Sequence, residues 1–292
     1  MRHQNYFIAL LLGLLTVQQA GAQEPRPMSL QLYSIRDILG NAEAYAKNHV
    51  EVFSRLREMG YSGVEAANYS DGKFYGVSPE QFKKDCEAAG LKPLSSHATR
   101  NLSAEELASH DFIEALKWWD QAIKDHKAAG MTYVVSPWCE TPKTLKDGQT
   151  ICDFYNEVGH RCREAGLRFG YHTHSHEYQK VEGQVWIDYM IQHTDADNMF
   201  WEMDTYWAVM AQQGPVHYFK KYPGRFKVLH IKDIYELGES GFVGFDAIFR
   251  NTDLAGMENC VVEMEGNDGT IDSMEGVRRC AEYLKSQHFV SQ

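Results

Sequence analysis

Four short stretches in the second half of the chain end in side chains that bind divalent metals: Tyr171-His172-Thr173-His174, Glu202-Met203-Asp204, Leu229-His230-Ile231-Lys232-Asp233 and Val261-Val262-Glu263-Met264-Glu265. Each closes an apolar, strand-like run. Counted from His172 through Asp204 and His230 to Glu263, the steps are 32, 26 and 33 residues. Each step has room for one strand, one helix and two loops. Parallel strands of consecutive βα units end on the same side of a barrel, so the four groups can converge on one ion. Mixed nitrogen and oxygen donors suit Mn2+, Zn2+, Co2+ or Mg2+, and the donor types do not choose among them. A His pair alone is more often structural than ligating, but acidic and His partners on three further strand ends reverse those odds. His174, two residues past His172, faces the same side of a strand. Lys232 stands in the same relation to His230. There its ammonium either is a solvated strand-end charge or holds a substrate oxygen and stabilises an enolate.

The elements that must position these groups are legible as alternating β-rich and amphipathic runs. Candidate strands cover 28–34, 62–67, 91–97, 132–137, 167–174, 199–205, 227–232 and 259–264. Four helices close on Gly60, Gly90, Gly130 and Gly166, each followed by a strand. Glycine there supplies the left-handed cap that ends a helix. Ser78-Pro79-Glu80 and Ser103-Ala104-Glu105-Glu106 read as helix starts. The stretch 103–129 carries Leu107, Phe112, Ile113, Leu116, Trp119 and Ile123 at helical spacing, read as core packing. Eight strands alternating with helices predict a single (β/α)8 TIM barrel over residues 23–292. A doubly wound sheet would normally carry a Gly-rich phosphate loop, and none is present.

In such a barrel the site lies at the C-terminal strand ends. Those ends place Tyr33 (strand 1), Glu65 (strand 2), His97 (strand 3), Trp138 (strand 4) and Trp207 (strand 6) near the same mouth. Alone, any of the aromatics would be packing. Beside many polar groups they form a platform on which a sugar ring stacks, so these five are the expected substrate contacts. Asp233 should face away and pair locally.

Residues 1–22 carry a basic start, an apolar run from Phe7 to Val17 and Ala20-Gly21-Ala22, which reads as a cleaved secretory signal peptide. Export to the periplasm or beyond is the expectation. Removing one basic residue and no acid takes the formal net charge from −11 to −12. That sign argues against nucleic acid or anionic membrane as partners and leaves a small-molecule carbohydrate. The six cysteines form no C-x-x-C pair and are expected as buried thiols.

The phrases Leu30-Gln31-Leu32-Tyr33-Ser34-Ile35-Arg36-Asp37, Gly60-Tyr61-Ser62-Gly63-Val64-Glu65, Phe169 to Tyr178, Glu202 to Trp207 and Leu229 to Asp233 together resemble the xylose isomerase-like barrel superfamily, often labelled sugar phosphate isomerase/epimerase. The resemblance runs over the whole mature chain. It implies a divalent metal held from strands 5 to 8, with Asp204, His230 and Glu263 at matching positions. Strand 5 departs, because many family epimerases have a ligating Glu where this chain has His172. That departure weakens the case for a symmetric two-carboxylate epimerase. It leaves Glu177 as a substitute ligand or base and His174 as base or substrate contact. Some relatives with His there resemble dehydratases or lyases acting on keto sugars and glycosides.

The leading expectation is therefore an exported, metal-dependent carbohydrate isomerase/epimerase acting through an enediolate, with His174, Lys232 and Glu177 as its catalytic groups. A lyase, dehydratase or hydrolase of 3-keto-glycosides shares its first step. A non-catalytic periplasmic sugar-binding protein would usually have two domains and a hinge. An abasic-site endonuclease on the same barrel would need a basic face.

Overall fold

A computed structural model of the chain describes residues 27–266 and 268–291. The expected signal peptide, 1–22, lies outside the described residues. Eight parallel strands form the core: β1 (Met28–Gln31), β2 (Gly63–Ala66), β3 (Lys92–Ser96), β4 (Tyr133–Ser136), β5 (Arg168–His172), β6 (Met199–Asp204), β7 (Val228–Ile231) and β8 (Asn259–Val262). Each pairs with its sequence neighbour except β3 with β4, and β1 pairs with β8. Between β3 and β4 the Thr132 amide donates to the Leu94 carbonyl at 2.9 Å and the Ala98 amide to Val135 at 2.8 Å, which closes the ring. The fold is a single (β/α)8 barrel with helices outside.

Alternation along the strands sorts the core. Leu94, Tyr133, Val135, Phe200, Val228 and Val261 form a separate apolar cluster inside the barrel. Outward residues such as Phe169, Trp201, Leu229 and Val262 belong to the larger core beneath the helices. The glycine stops are as expected: Gly60, Gly90, Gly130 and Gly166 have φ of 98°, 73°, 71° and 81°. All six cysteines are buried thiols. Among the described residues, no helix is long and apolar enough to cross a membrane.

Two expectations are corrected. The stretch 103–129 is two helices, Ala104–Ser109 and Ile113–Ala128. His110 between them is left-handed (φ 57°), and Asp111 Oδ1 takes the Ile113 amide at 3.0 Å, so a new helix starts there. Ile113, on that first turn, is 60% exposed and lies outside the core. The strands are also shorter than expected. The first stops at Gln31, whose side-chain carbonyl accepts from the Tyr33 amide at 3.0 Å and turns the chain into a 3-10 helix, Leu32–Ile35. Tyr33, His174, Lys232 and Glu263 therefore stand one or two residues past the ends of their strands.

Candidate active site

Register decides what meets at the mouth. Asp204 lies directly opposite His230 on β6 and β7, and Glu202 opposite His172 on β6 and β5. His172, Asp204, His230 and Glu263 each offer one donor atom, all four within 4.8 Å of one another, and all four residues are buried. Asp204 caps the helix Thr205–Met210, its Oδ1 accepting from the Trp207 amide at 2.8 Å. Its Oδ2 is buried without a partner, an arrangement that costs free energy unless a cation or donor meets it. His230 Nδ1 lies 3.3 Å from Glu263 Oε2. Two imidazoles and two carboxylates from four strands, with one orphaned oxygen among them, fit a divalent ion.

Lys232 is 1% exposed, so its charge is not solvated. Its Nζ lies 3.6 Å from Glu263 Oε2 and 2.5 Å from Glu265 Oε2, and 4.8 Å over the Trp207 ring. Burial would lower its pKa, but Glu263, Asp204 and Glu265 raise it, and it stays cationic. Burial likewise pushes Asp204 up to about 7, against the pull of Lys232. Glu263 goes the other way: burial would raise it, yet the hydrogen bond from His230 and the charge of Lys232 hold it at about 2.

Above the quartet opens a cavity of about 520 Å³, lined among others by Tyr33, Asn68, Tyr69, His97, Trp138, His174, Glu263 and Glu265. Its lining holds two carboxylates and neither Lys nor Arg. Tyr33 and Trp138 are 42% and 40% exposed at its rim. His174 packs between Trp138 and Trp207, with ring centroids at 5.3 and 5.8 Å. Burial lowers its pKa to about 3, so it is a neutral imidazole.

Four expected catalytic or substrate-binding groups are absent from the cavity lining: Lys232, held beside the quartet, and Trp207, Glu65 and Glu177. Trp207 lies under Lys232 instead of lining the space. Glu65 is fully buried beneath the quartet, accepting from Gln31 Nε2 at 2.8 Å and Ser95 Oγ at 2.6 Å, so it cannot touch a bound sugar. Glu177 is also fully buried. It accepts from Tyr171 OH at 2.9 Å and the His174 amide at 2.8 Å, so it shapes the His174 loop and acts on the cavity only through it. Asp233 turns away and takes the Ile234 amide at 2.9 Å. Glu202 and Glu265 stand in the strand-end stretches singled out from the sequence, but neither was given a role there. Glu202 lies two residues before Asp204, and that alternation was the available signal. Tyr69 sits on a short hairpin whose position no periodicity reveals.

Residues 53–287 match the family model described as xylose isomerase-like TIM barrel. The chain belongs to that family. Within the xylose isomerase-like barrels it is similar to the solved sugar phosphate isomerase/epimerase from Parabacteroides distasonis. The two are 32% identical with a TM-score of 0.82, over 91% of this chain and 99% of that one. An inosose dehydratase from Geobacillus kaustophilus is 22% identical over 214 residues, 68% of this chain and 65% of that protein's length, just under two thirds. A barrel solved as the IOLI protein with a binding zinc atom has a TM-score of 0.66 at 14% identity, covering 88% of this chain and 95% of that one.

Proposed function

We propose that this xylose isomerase-like barrel is an exported, divalent-metal-dependent enzyme of the carbohydrate isomerase/epimerase type, acting on an unphosphorylated sugar or keto sugar. The observation that carries it is the buried quartet His172, Asp204, His230 and Glu263 at the floor of a cavity with aromatic walls. When bound there, the ion would supply a Lewis acid that polarises a carbonyl oxygen. Lys232 adds a fixed cation beside the quartet, where negative charge develops on oxygen as the neighbouring carbon loses its proton. His174 and Glu265 line the cavity and are the groups placed to move that proton. Tyr33, Tyr69 and Trp138 offer apolar faces to a sugar ring. A phosphorylated substrate is disfavoured, because the lining carries two carboxylates and neither Lys nor Arg. Export rests on the character of residues 1–22.

One asymmetry of the cavity supports elimination as a second reading. The strand-8 side of the cavity carries carboxylates, Glu263 and Glu265, whereas the strand-5 side carries imidazoles, His172 and His174. The neutral imidazole of His174 can take the proton from carbon and, once charged, hand it to the leaving oxygen. The relatives named inosose dehydratase support this second reading. Both readings are tested by incubating metal-loaded protein in D2O with neutral sugars, 3-keto sugars, their glycosides and the matching phosphates, followed by NMR. Deuterium at the carbon beside the carbonyl of a neutral substrate is expected. An exchanged isomer selects epimerisation, and an unsaturated product selects elimination. Turnover of phosphates alone, or activity untouched by chelators, contradicts the proposal.

A further inference from the structure

Beneath the quartet the barrel holds a second polar layer that the proposed chemistry does not use. Most (β/α)8 interiors are filled at this depth by branched apolar side chains. Here Glu65 and Glu202, both fully buried, share the layer with His97. His230 Nε2 lies 2.7 Å from Glu65 Oε1 and 3.3 Å from Glu202 Oε2. His172 Nδ1 lies 3.2 Å from the same Glu202 oxygen. His97 Nε2 sits between the two carboxylates, 3.2 Å from Glu65 and 3.3 Å from Glu202. Gln31 and Ser95 supply the remaining donors to Glu65. Every carboxylate in the layer thus faces a ring nitrogen.

Two functions are conceivable for such a layer: a second ion site, or a support for the first. His97, His172, Glu202 and His230 offer donor atoms within 4.8 Å of one another, but His172 and His230 are shared with the quartet, and the contacts favour the second function. A 2.7 Å contact between His230 and Glu65 is a direct charge-assisted hydrogen bond and leaves no space for an ion between them. Glu65, Glu202 and His230 are all at 0% exposure, and His97 is the member of the layer that reaches the cavity wall. The ring nitrogens also divide between the two levels. His230 turns Nδ1 to Glu263 in the quartet and Nε2 to the layer below. His172 turns Nδ1 to the layer, which leaves Nε2 for the quartet.

Taking the quartet as the metal site, as proposed above, we infer that Glu65 and Glu202 are positioning residues that fix the tautomers of the two ligating histidines, so that His230 binds through Nδ1 and His172 through Nε2. Each carboxylate accepts the N–H of the ring nitrogen that does not ligate. That contact locks the ring plane and makes the ligating nitrogen more basic. His97, with Nε2 between the two carboxylates, is the side chain that lets both occupy one layer. Loss of such a supporting carboxylate typically weakens metal affinity about 10- to 100-fold.

The test needs no substrate. The full chain, freed of metal, is titrated with Zn2+ by calorimetry as wild type, Glu65→Gln and Glu202→Gln. Wild type should bind one equivalent, and each variant should bind one equivalent about 10- to 100-fold more weakly. Because either variant could perturb folding, ¹⁵N NMR of the histidine rings in the Zn2+-bound wild type is read alongside. His230 should be protonated at Nε2 and His172 at Nδ1. Unchanged affinity in both variants, or the opposite tautomers, overturns the inference while leaving the quartet intact. A second Zn2+ equivalent lost on Glu202→Gln would make the layer an ion site and overturn it too. Failure of the wild type to bind any Zn2+ would remove the quartet itself and the inference with it.

Discussion

Lys232 carries the sharpest consequence at the scale of the residue. Its ammonium is held between Glu263 and Glu265, beside the ion site and above the Trp207 ring. Replacing it with Met removes a preorganised cation, and turnover should fall about 10²-fold or more. The same change takes one of two partners from buried Glu263, with His230 still 3.3 Å away, and costs on the order of 2 kcal/mol in metal-free protein. Bound metal should restore most of that loss. Turnover on the best substrate and urea unfolding with and without metal check both effects. Near-normal kcat would return Lys232 to a purely structural charge. The residue types here were readable from sequence because His, Asp and Glu recur at strand ends. Depth was not readable. Alternation tells which face a side chain takes, but Glu65 and Glu202 lie one layer below the cavity, and only their partners Gln31, Ser95 and His97 reveal it.

At the scale of the element, strand order and helix stops were legible, and loop geometry was not. The Gly60, Gly90, Gly130 and Gly166 stops follow from glycine's access to positive φ. The break at His110 did not follow, because a non-glycine residue takes the left-handed turn there. Glu177 turned inward for the same kind of reason, drawn to Tyr171 OH and the His174 amide by contacts that no spacing rule encodes. One helix allows a direct test of packing. The helix Leu145–Glu164 contains buried Gly159, where an added Cβ would sit 2.1 Å from the Asn198 carbonyl oxygen. Gly159→Ala should gain about 1 kcal/mol of helix propensity. It should lose more, about 1–3 kcal/mol, to overpacking against backbone that cannot rotate away. A lower urea midpoint is expected, and a higher one would mean the helix and the β5–β6 connection separate at no cost.

For the whole molecule, pH and metal are the two levers. His126 is fully buried against Tyr69 and Phe74, with Nδ1 2.6 Å from the Ala122 carbonyl and Nε2 unpartnered. Burial lowers its pKa to about 4. In the unfolded chain it takes up a proton below about 6.5. Its contribution is therefore complete above pH 6.5 and is lost as pH falls toward 4, by about 3 kcal/mol. Urea unfolding of wild type and His126→Phe across that range should show a shallower loss in the variant, and parallel curves would contradict it. Metal bears on the central claim, that four consecutive strands build one ion site. Purified protein and its Asp204→Ala, His230→Ala, His172→Ala and His174→Ala variants would be analysed for bound metal by mass spectrometry. One divalent ion per chain is predicted in wild type and His174→Ala, with strong loss in the other three. Full metal content in both Asp204→Ala and His230→Ala would contradict the account.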